Sequence, residues 1–243
     1  MADRHAGAAV RAEALSLRGA RGWVYRDVEF EAPPGALVAL EGEAGSGRTS
    51  LLLTLAGRMR PTGGSAAVDG LALPKQAAKV RRIAALGPVP GVNEPDPALT
   101  VAAHLREQLH LHGRPFAPSV RRGTDRRAAL ALAAAGLDPD RLPDGLRTPA
   151  RELGALDRLR LGTALALIGE PRLICVDEPD ERLDDAGRRA AWQLLRDTAD
   201  RGITVLASTT DAGRAAGLAD LTAHTAPAET PAAPEQEAAD ARA

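Results

Sequence analysis

Apolar positions along the chain fall into two patterns: short runs bounded by glycine and proline, and longer stretches with helical spacing. Residues 1–12 are Ala-rich and polar and are expected to be disordered. From Ala14 the text turns strand-like, through Ala14-Leu15-Ser16-Leu17, Trp23-Val24-Tyr25 and Val28-Glu29-Phe30. Pro33-Pro34-Gly35 makes a turn, and Ala36 to Leu40 is a continuous apolar run suited to a strand buried on both faces. That run ends in a Gly-rich segment, after which Ser50 to Ala56 reads as a helix closed by Gly57 and Pro61-Thr62-Gly63-Gly64. Ile83 to Leu86 is another short strand, followed by a loop from Gly87 to Gly91.

Three helical stretches follow, Leu99 to His112, Asp125 to Ala135 and Leu156 to Ile168, separated by prolines that cannot continue a helix. Leu173 to Val176 and Ile203 to Ala207 read as buried strands, with an Arg-rich helix from Asp185 to Ala199 between them. The tail from Ala226 to Ala243, rich in Ala, Pro and Glu, cannot bury a core and is expected to be disordered. Strands alternating with helices predict an α/β fold: a mainly parallel sheet flanked by helices, preceded by an antiparallel β part. The expected domain covers residues 13–225, with a helical lobe inserted at about 92–165.

Composition removes several functions. The 31 basic residues balance 32 acidic ones, so no global field favours nucleic acid. Trp23, Tyr25, Phe30, Phe116 and Trp192 do not cluster with basic residues, which argues against stacking on single strands. Arg121-Arg122 and Arg126-Arg127 read as an exposed helix face rather than a nucleic-acid patch. Cys175 is the one cysteine, so neither an internal disulfide nor a cysteine-based zinc site is available; inside its strand it reads as a core residue. His110 and His112 are two apart on a helix and make a poor metal pair. No apolar run approaches the ~20 residues that cross a bilayer, and the N-terminus lacks the apolar core of a secretory signal. These features predict a soluble intracellular protein. Alanine fills 51 positions, and Lys75 and Lys79 are the only lysines, so chemistry that uses lysine must use another residue.

The chemistry concentrates in two places. Gly42-Glu43-Ala44-Gly45-Ser46-Gly47-Arg48-Thr49 fits the phosphate-loop pattern G-x-x-x-x-G-K-[ST], with arginine in place of lysine. Its glycines let backbone N–H groups turn inward as an anion nest, and the helix that follows adds its positive end. Thr49 stands where a hydroxyl would bind Mg²⁺, and Ser50 is placed to reach a phosphate. Far downstream, Leu173-Ile174-Cys175-Val176 delivers Asp177-Glu178-Pro179. An acid at the end of an apolar strand is the usual partner of such a loop: Asp177 for the Mg²⁺ shell, Glu178 to orient or deprotonate the attacking water. Either segment alone could be a tight βα turn or a charged turn; together they point to nucleotide binding.

The arrangement resembles the nucleotide-binding subunit of an ATP-binding cassette (ABC) transporter over roughly residues 14–222. Further segments carry the likeness: Asp27 to Gly35 before the loop, Leu99-Thr100-Val101 opening the helical lobe, and Arg151-Glu152-Leu153 leading toward Gly169-Glu170-Pro171-Arg172. Leu183-Asp184 is similar to the loop that crosses between subunits, and Thr204-Val205-Leu206 with Thr209-Thr210-Asp211 to the final strand and switch region. The resemblance implies ATP and Mg²⁺ as ligands, a homo- or heterodimer of cassettes, and a separate transmembrane subunit. It implies a cytoplasmic protein peripheral on the inner face of the cell membrane, with no nucleic-acid partner.

Departures from the family pattern are as informative. The signature Leu-Ser-Gly-Gly-Gln becomes Leu153-Gly154-Ala155-Leu156-Asp157, which removes the serine and adds side chains where backbone should approach phosphate. Asp157 adds a charge expected to repel nucleotide. The coupling glutamine is replaced near Pro88, and the switch histidine falls at Thr210. The adenine-stacking aromatic falls at Gly19, with Trp23 either a substitute or packed in its strand. Arg48 keeps the lysine's charge but is longer and planar. Together these predict an ATP-binding subunit with weakened hydrolysis; the alternative is a silent regulatory or scaffold subunit that keeps the fold for docking.

Overall fold

The structure is a computed structural model that describes residues 7–112 and 120–225, the side chains of 120–125 excepted. The strands are β1 (Val10–Gly19), β2 (Gly22–Ala32), β3 (Leu37–Glu41), β4 (Gly63–Val68), β5 (Leu71–Leu73), β6 (Ala84–Leu86), β7 (Leu173–Val176), β8 (Thr204–Thr209) and β9 (Leu221–His224). The helices are α1 (Arg48–Leu55), α2 (Ala77–Ile83), α3 (Val101–Leu111), α4 (Val120–Ala134), α5 (Ala155–Leu167) and α6 (Asp185–Asp200). Strands β2-β1-β4-β5 form an antiparallel sheet, and β6-β7-β8-β3-β9 form a second sheet whose pairings are all parallel.

The parallel sheet is covered on both sides, which explains its continuous apolar runs. Leu37 and Ala39 of β3 join the core under α3 to α6, while Val38 and Leu40 face the core that holds α1 and the antiparallel sheet. Ile174 and Val176 alternate with Leu173 and Cys175 in the same way on β7. Cys175 is fully buried; burial pushes its thiol up to about 12, with Arg58 opposing, so it is an inert core residue.

Local signals account for the helices. The Thr100 side chain accepts from Ala103 N–H at the start of α3, and Asp184 accepts from Gly187 N–H at the start of α6. Helix α6 buries Ala191, Trp192, Leu194, Leu195, Thr198 and Ala199 along one stripe. Arg126 is exposed, but Arg127 turns onto the end of α5, where its Nη2 donates to the Ile168 carbonyl at 2.5 Å. The side chains of Arg121 and Arg122 lie outside the described residues.

Several expectations need correction. Residues 7–12, expected to be disordered, are in place: β1 starts at Val10, and Gly7 and Ala8 are buried. Ala8 N–H donates to the Arg172 carbonyl at 3.0 Å, and Thr204 Oγ1 donates to the Ala8 carbonyl at 2.7 Å. An Ala-rich segment has no apolar period to read, yet its small side chains let the backbone dock closely. The two runs around Tyr25 and Phe30 are one strand; its alternation breaks where Asp27 takes φ 49°, a bulge fixed by Asp27 N–H donating to Ser16 Oγ. Ile83 closes α2 instead of opening a strand, and β8 is followed by a further strand, β9. The tail 226–243 and residues 1–6 lie outside the described residues.

Strand β9 is held by Asp220, whose Oδ2 accepts from Leu37 N–H at 2.8 Å and from Arg196 Nη1 at 2.7 Å. Partial burial opposes the charge on Asp220, but the Arg196 donor and the Leu37 N–H outweigh it and hold the carboxyl below its ordinary range. Asp220→Asn should cost about 1 kcal/mol at neutral pH, a charged hydrogen bond discounted for solvent screening. A lowered folded-state value means the contribution is complete above the unfolded carboxyl range and lost as pH falls through the folded one. Denaturant titrations of the two proteins should therefore differ at pH 7 and converge in strong acid.

Candidate functional site

The site is built where the chain leaves the carboxyl edge of the parallel sheet. Residues 42–47 join β3 to α1, and Gly45 (φ 83°) and Gly47 (φ 82°) take left-handed conformations that side chains resist. A Cβ on Gly47 would also collide with the Val24 carbonyl of β2, and one on Gly42 with Thr225 and Ser46. These contacts hold the loop from outside: Gly42 N–H donates to the Thr209 carbonyl at 3.2 Å, and the Ser46 and Thr225 hydroxyls lie 2.6 Å apart. Ser46 N–H closes a turn onto the Glu43 carbonyl at 3.1 Å. The N–H groups of Ala44, Gly45, Gly47, Arg48, Thr49 and Ser50 have no acceptor among the described residues. That leaves a cluster of unused donors at the start of α1, the chemistry an anion needs.

The acids face this loop from β7. Thr49 Oγ1 donates to Asp177 Oδ2 at 2.6 Å, and Arg48 Nη2 donates to Glu178 Oε1 at 2.6 Å. Arg48 is 5% exposed and Glu178 30%. The other arm of Arg48, Nη1, is buried and has no hydrogen-bond partner among the described residues. Asp177 N–H donates to the Pro88 carbonyl at 3.0 Å, which ties the acidic turn to the loop after β6. The structure thus brings Arg48, Thr49, Asp177 and Glu178 together. Glu43 and Ala44 form the exposed crest of the loop, and Ser50 sits in the first turn of α1 with its carbonyl taken by Thr54.

Ser208 was not singled out by the sequence reading, yet it links both acids. Its hydroxyl donates to Asp177 Oδ1 and accepts from Glu178 N–H at 2.9 Å. The available signal was a polar residue ending the buried run Val205-Leu206-Ala207, on the strand that pairs with β7. Asp180 was also missed: almost fully buried, it accepts from Trp192 Nε1 at 3.2 Å and pairs with Arg214 at 3.5 Å. Asn93 closes the loop beyond Pro88 by bonding Val89 N–H and the Leu86 carbonyl, each at 3.1 Å.

The divergent positions have their own geometry. Gly154 caps α5 with no side-chain hydrogen bond, and a Cβ there would meet nothing within 4 Å. Asp157 is paired with Arg160 on the same helix at 2.8 Å, so the repulsion expected of it is largely neutralised within α5. The guanidinium groups of Arg18, its partner across β1 and β2, and of Arg26 lie over the partly buried ring of Trp23 at 5.5 and 5.3 Å, contacts made within the antiparallel sheet. A cavity of about 990 Å³ lies in the helical lobe beside Leu105, Leu132 and Leu142, lined by neither the loop nor the acids.

A glycine loop between a buried strand and a helix, facing an acidic pair at the end of a parallel strand one removed in the sheet, defines the phosphate-loop class of nucleotide-binding folds. Comparisons sharpen that class. The family model described as ABC transporter matches residues 25–181, more than half of the chain. The chain is 32% identical over 217 residues to the hemin import ATP-binding protein HmuV of Gloeobacter violaceus, spanning 87% of this chain and 76% of that protein. It is 35% identical over 199 residues to the cytochrome c biogenesis ATP-binding export protein CcmA of Bradyrhizobium diazoefficiens, spanning 80% and 88%. With the Nod factor export ATP-binding protein I of Rhizobium etli it shares 31% identity over 186 residues, 76% of this chain but only 55% of that relative's length. Among solved structures, cbiO1 from Clostridium perfringens, part of the ABC transporter complex cbiONQ, superposes with TM-score 0.72 at 19% identity, covering 89% of this chain and 86% of that one. A dimeric bacterial ABC transporter cassette gives 0.73 at 21% identity, covering 90% and 96%. The chain belongs to the ABC transporter family.

Ser208→Ala would strip Asp177 of one donor and Glu178 N–H of its acceptor. We expect a loss of about 1–3 kcal/mol of stability, the cost of leaving such groups unpaired, measured by denaturant unfolding.

Proposed function

We propose that this chain is the ATP-binding subunit of an ABC transporter, binding Mg-ATP at residues 42–50 and working with a separate membrane-spanning subunit. The observation that carries the reading is the Thr49–Asp177 contact of 2.6 Å beside a loop of unused N–H donors. The loop N–H groups and Arg48 would hold the phosphates, and Ser50 lies within reach of them. Thr49 and Asp177 supply the hydroxyl and carboxylate oxygens that suit Mg²⁺, which would neutralise charge between phosphate groups. Glu178 is the residue placed to orient or deprotonate water. Among the described residues no helix is long and apolar enough to cross a membrane. We place this subunit on the cytoplasmic face, paired with a second cassette, with no nucleic-acid partner.

Hydrolysis is weakened in this reading. A second cassette would meet Leu153 to Asp157, and α5 begins there at Gly154, without the serine hydroxyl that would meet the γ-phosphate across the dimer. Thr210 cannot carry a proton where the family has histidine. The same two positions favour the second reading, a silent scaffold subunit. Calorimetry with ATP, with and without Mg²⁺, separates them. Mg-dependent binding is expected, and turnover with the membrane partner should fall roughly 100- to 10,000-fold in Glu178→Gln. No binding at millimolar nucleotide would leave the scaffold.

Gly154→Ser fits the open space at the start of α5 and should stabilise that helix by a few tenths of a kcal/mol. If the missing serine limits hydrolysis, this variant raises turnover of the assembled dimer; unchanged turnover assigns the weakness elsewhere.

A further inference from the structure

The exchange of lysine for arginine at position 48 has put a two-armed cation at the base of the phosphate loop. One arm, Nη2, is closed on Glu178 Oε1 at 2.6 Å; the other, Nη1, is buried with no hydrogen-bond partner among the described residues. The carboxylate is aimed by its backbone, which takes φ 48° and is pinned by Glu178 N–H donating to Ser208 Oγ at 2.9 Å. Each oxygen of Asp177 already accepts a hydroxyl, from Ser208 and from Thr49, and the Arg48 contact is made to Glu178. A buried guanidinium needs an anion, and Glu178 is the one that reaches it.

We propose that the Arg48–Glu178 pair is a latch that makes the water-activating carboxylate unavailable until phosphate enters the loop. This rests on the reading of residues 42–50 as a nucleotide site. While the pair is closed, Oε1 accepts from Arg48 and the carboxylate is held at the guanidinium, so turning it toward a water means giving up the pair. An entering phosphate offers oxygens to Nη1 and competes for Nη2, so binding opens the contact and frees Glu178. Breaking the pair is set against nucleotide affinity, and the freed carboxylate appears only with substrate in place. A lysine would present its donors from one nitrogen, whereas arginine presents them from two arms with a fixed planar geometry.

The test is a double-mutant cycle on the full chain with Arg48→Met, Glu178→Gln and the double variant. Binding of Mg²⁺ with the non-hydrolysable analogue AMP-PNP is measured by calorimetry. Removing one charge near a polyanion tightens binding in any background; a latch adds coupling between the positions. Glu178→Gln should tighten AMP-PNP binding roughly tenfold more when Arg48 is present than in the Arg48→Met background, the equivalent of one charge-assisted hydrogen bond. Measurable binding with additive effects overturns the latch and leaves the proposed function intact. Absence of AMP-PNP binding by the unmodified chain overturns both. If Arg48→Met fails to fold, Arg48→Lys takes its place. The coupling should then shift by at least about threefold, because the second arm is lost. An unchanged coupling counts against the latch.

Discussion

The molecule depends on one sheet being buried on both faces. Leu37 to Leu40, Leu173 to Val176 and Val205 to Ala207 pack alternately into two apolar layers, leaving no water beside the strands. Polar groups can therefore gather only where the strands end, and the carboxyl edge is where β3, β7 and β8 release their chains. The phosphate loop, the acidic pair and Ser208 all lie at that edge for this reason. The register β3–β8–β7 brings residues more than a hundred positions apart within hydrogen-bonding distance.

At that edge the site combines backbone and charge. The N–H groups of Ala44, Gly45 and Gly47 to Ser50, which have no acceptor among the described residues, form a fixed positive surface that needs no lysine and leaves no trace in the net charge. Arg48 adds a buried cation whose counter-ion is Glu178, and Thr49 adds a hydroxyl against Asp177. Arg48 and Glu178 pair with each other and Asp177 is held by two hydroxyls, which leaves Arg48 Nη1 as the buried group of this site with no hydrogen-bond partner among the described residues. The pairing also ties the group that would grip phosphate to the group that would activate water.

Much of this was legible in the chain. The apolar runs identified β3, β7 and most of β8, and the glycine spacing with Asp177-Glu178 located the site. The strands missed, β4, β5 and β9, are short or built from Gly, Ser and Ala, so their partners rather than their side chains define them. Residues 7–12 were misjudged for the same reason: docking against Arg172 and Thr204 is invisible in an alanine-rich text.

Residue type and spacing alone determined the fold class and singled out Gly42 to Ser50, Asp177 and Glu178 as the candidate site, because a phosphate loop is a local motif. Local motifs do not say which distant groups meet. That Ser208 joins the two acids, that Asp157 is neutralised by Arg160, and that Arg48 is spent on Glu178 followed only from the tertiary structure. Each is a pairing of charges or hydroxyls set by strand register, side-chain reach and burial, which are properties of the packed chain.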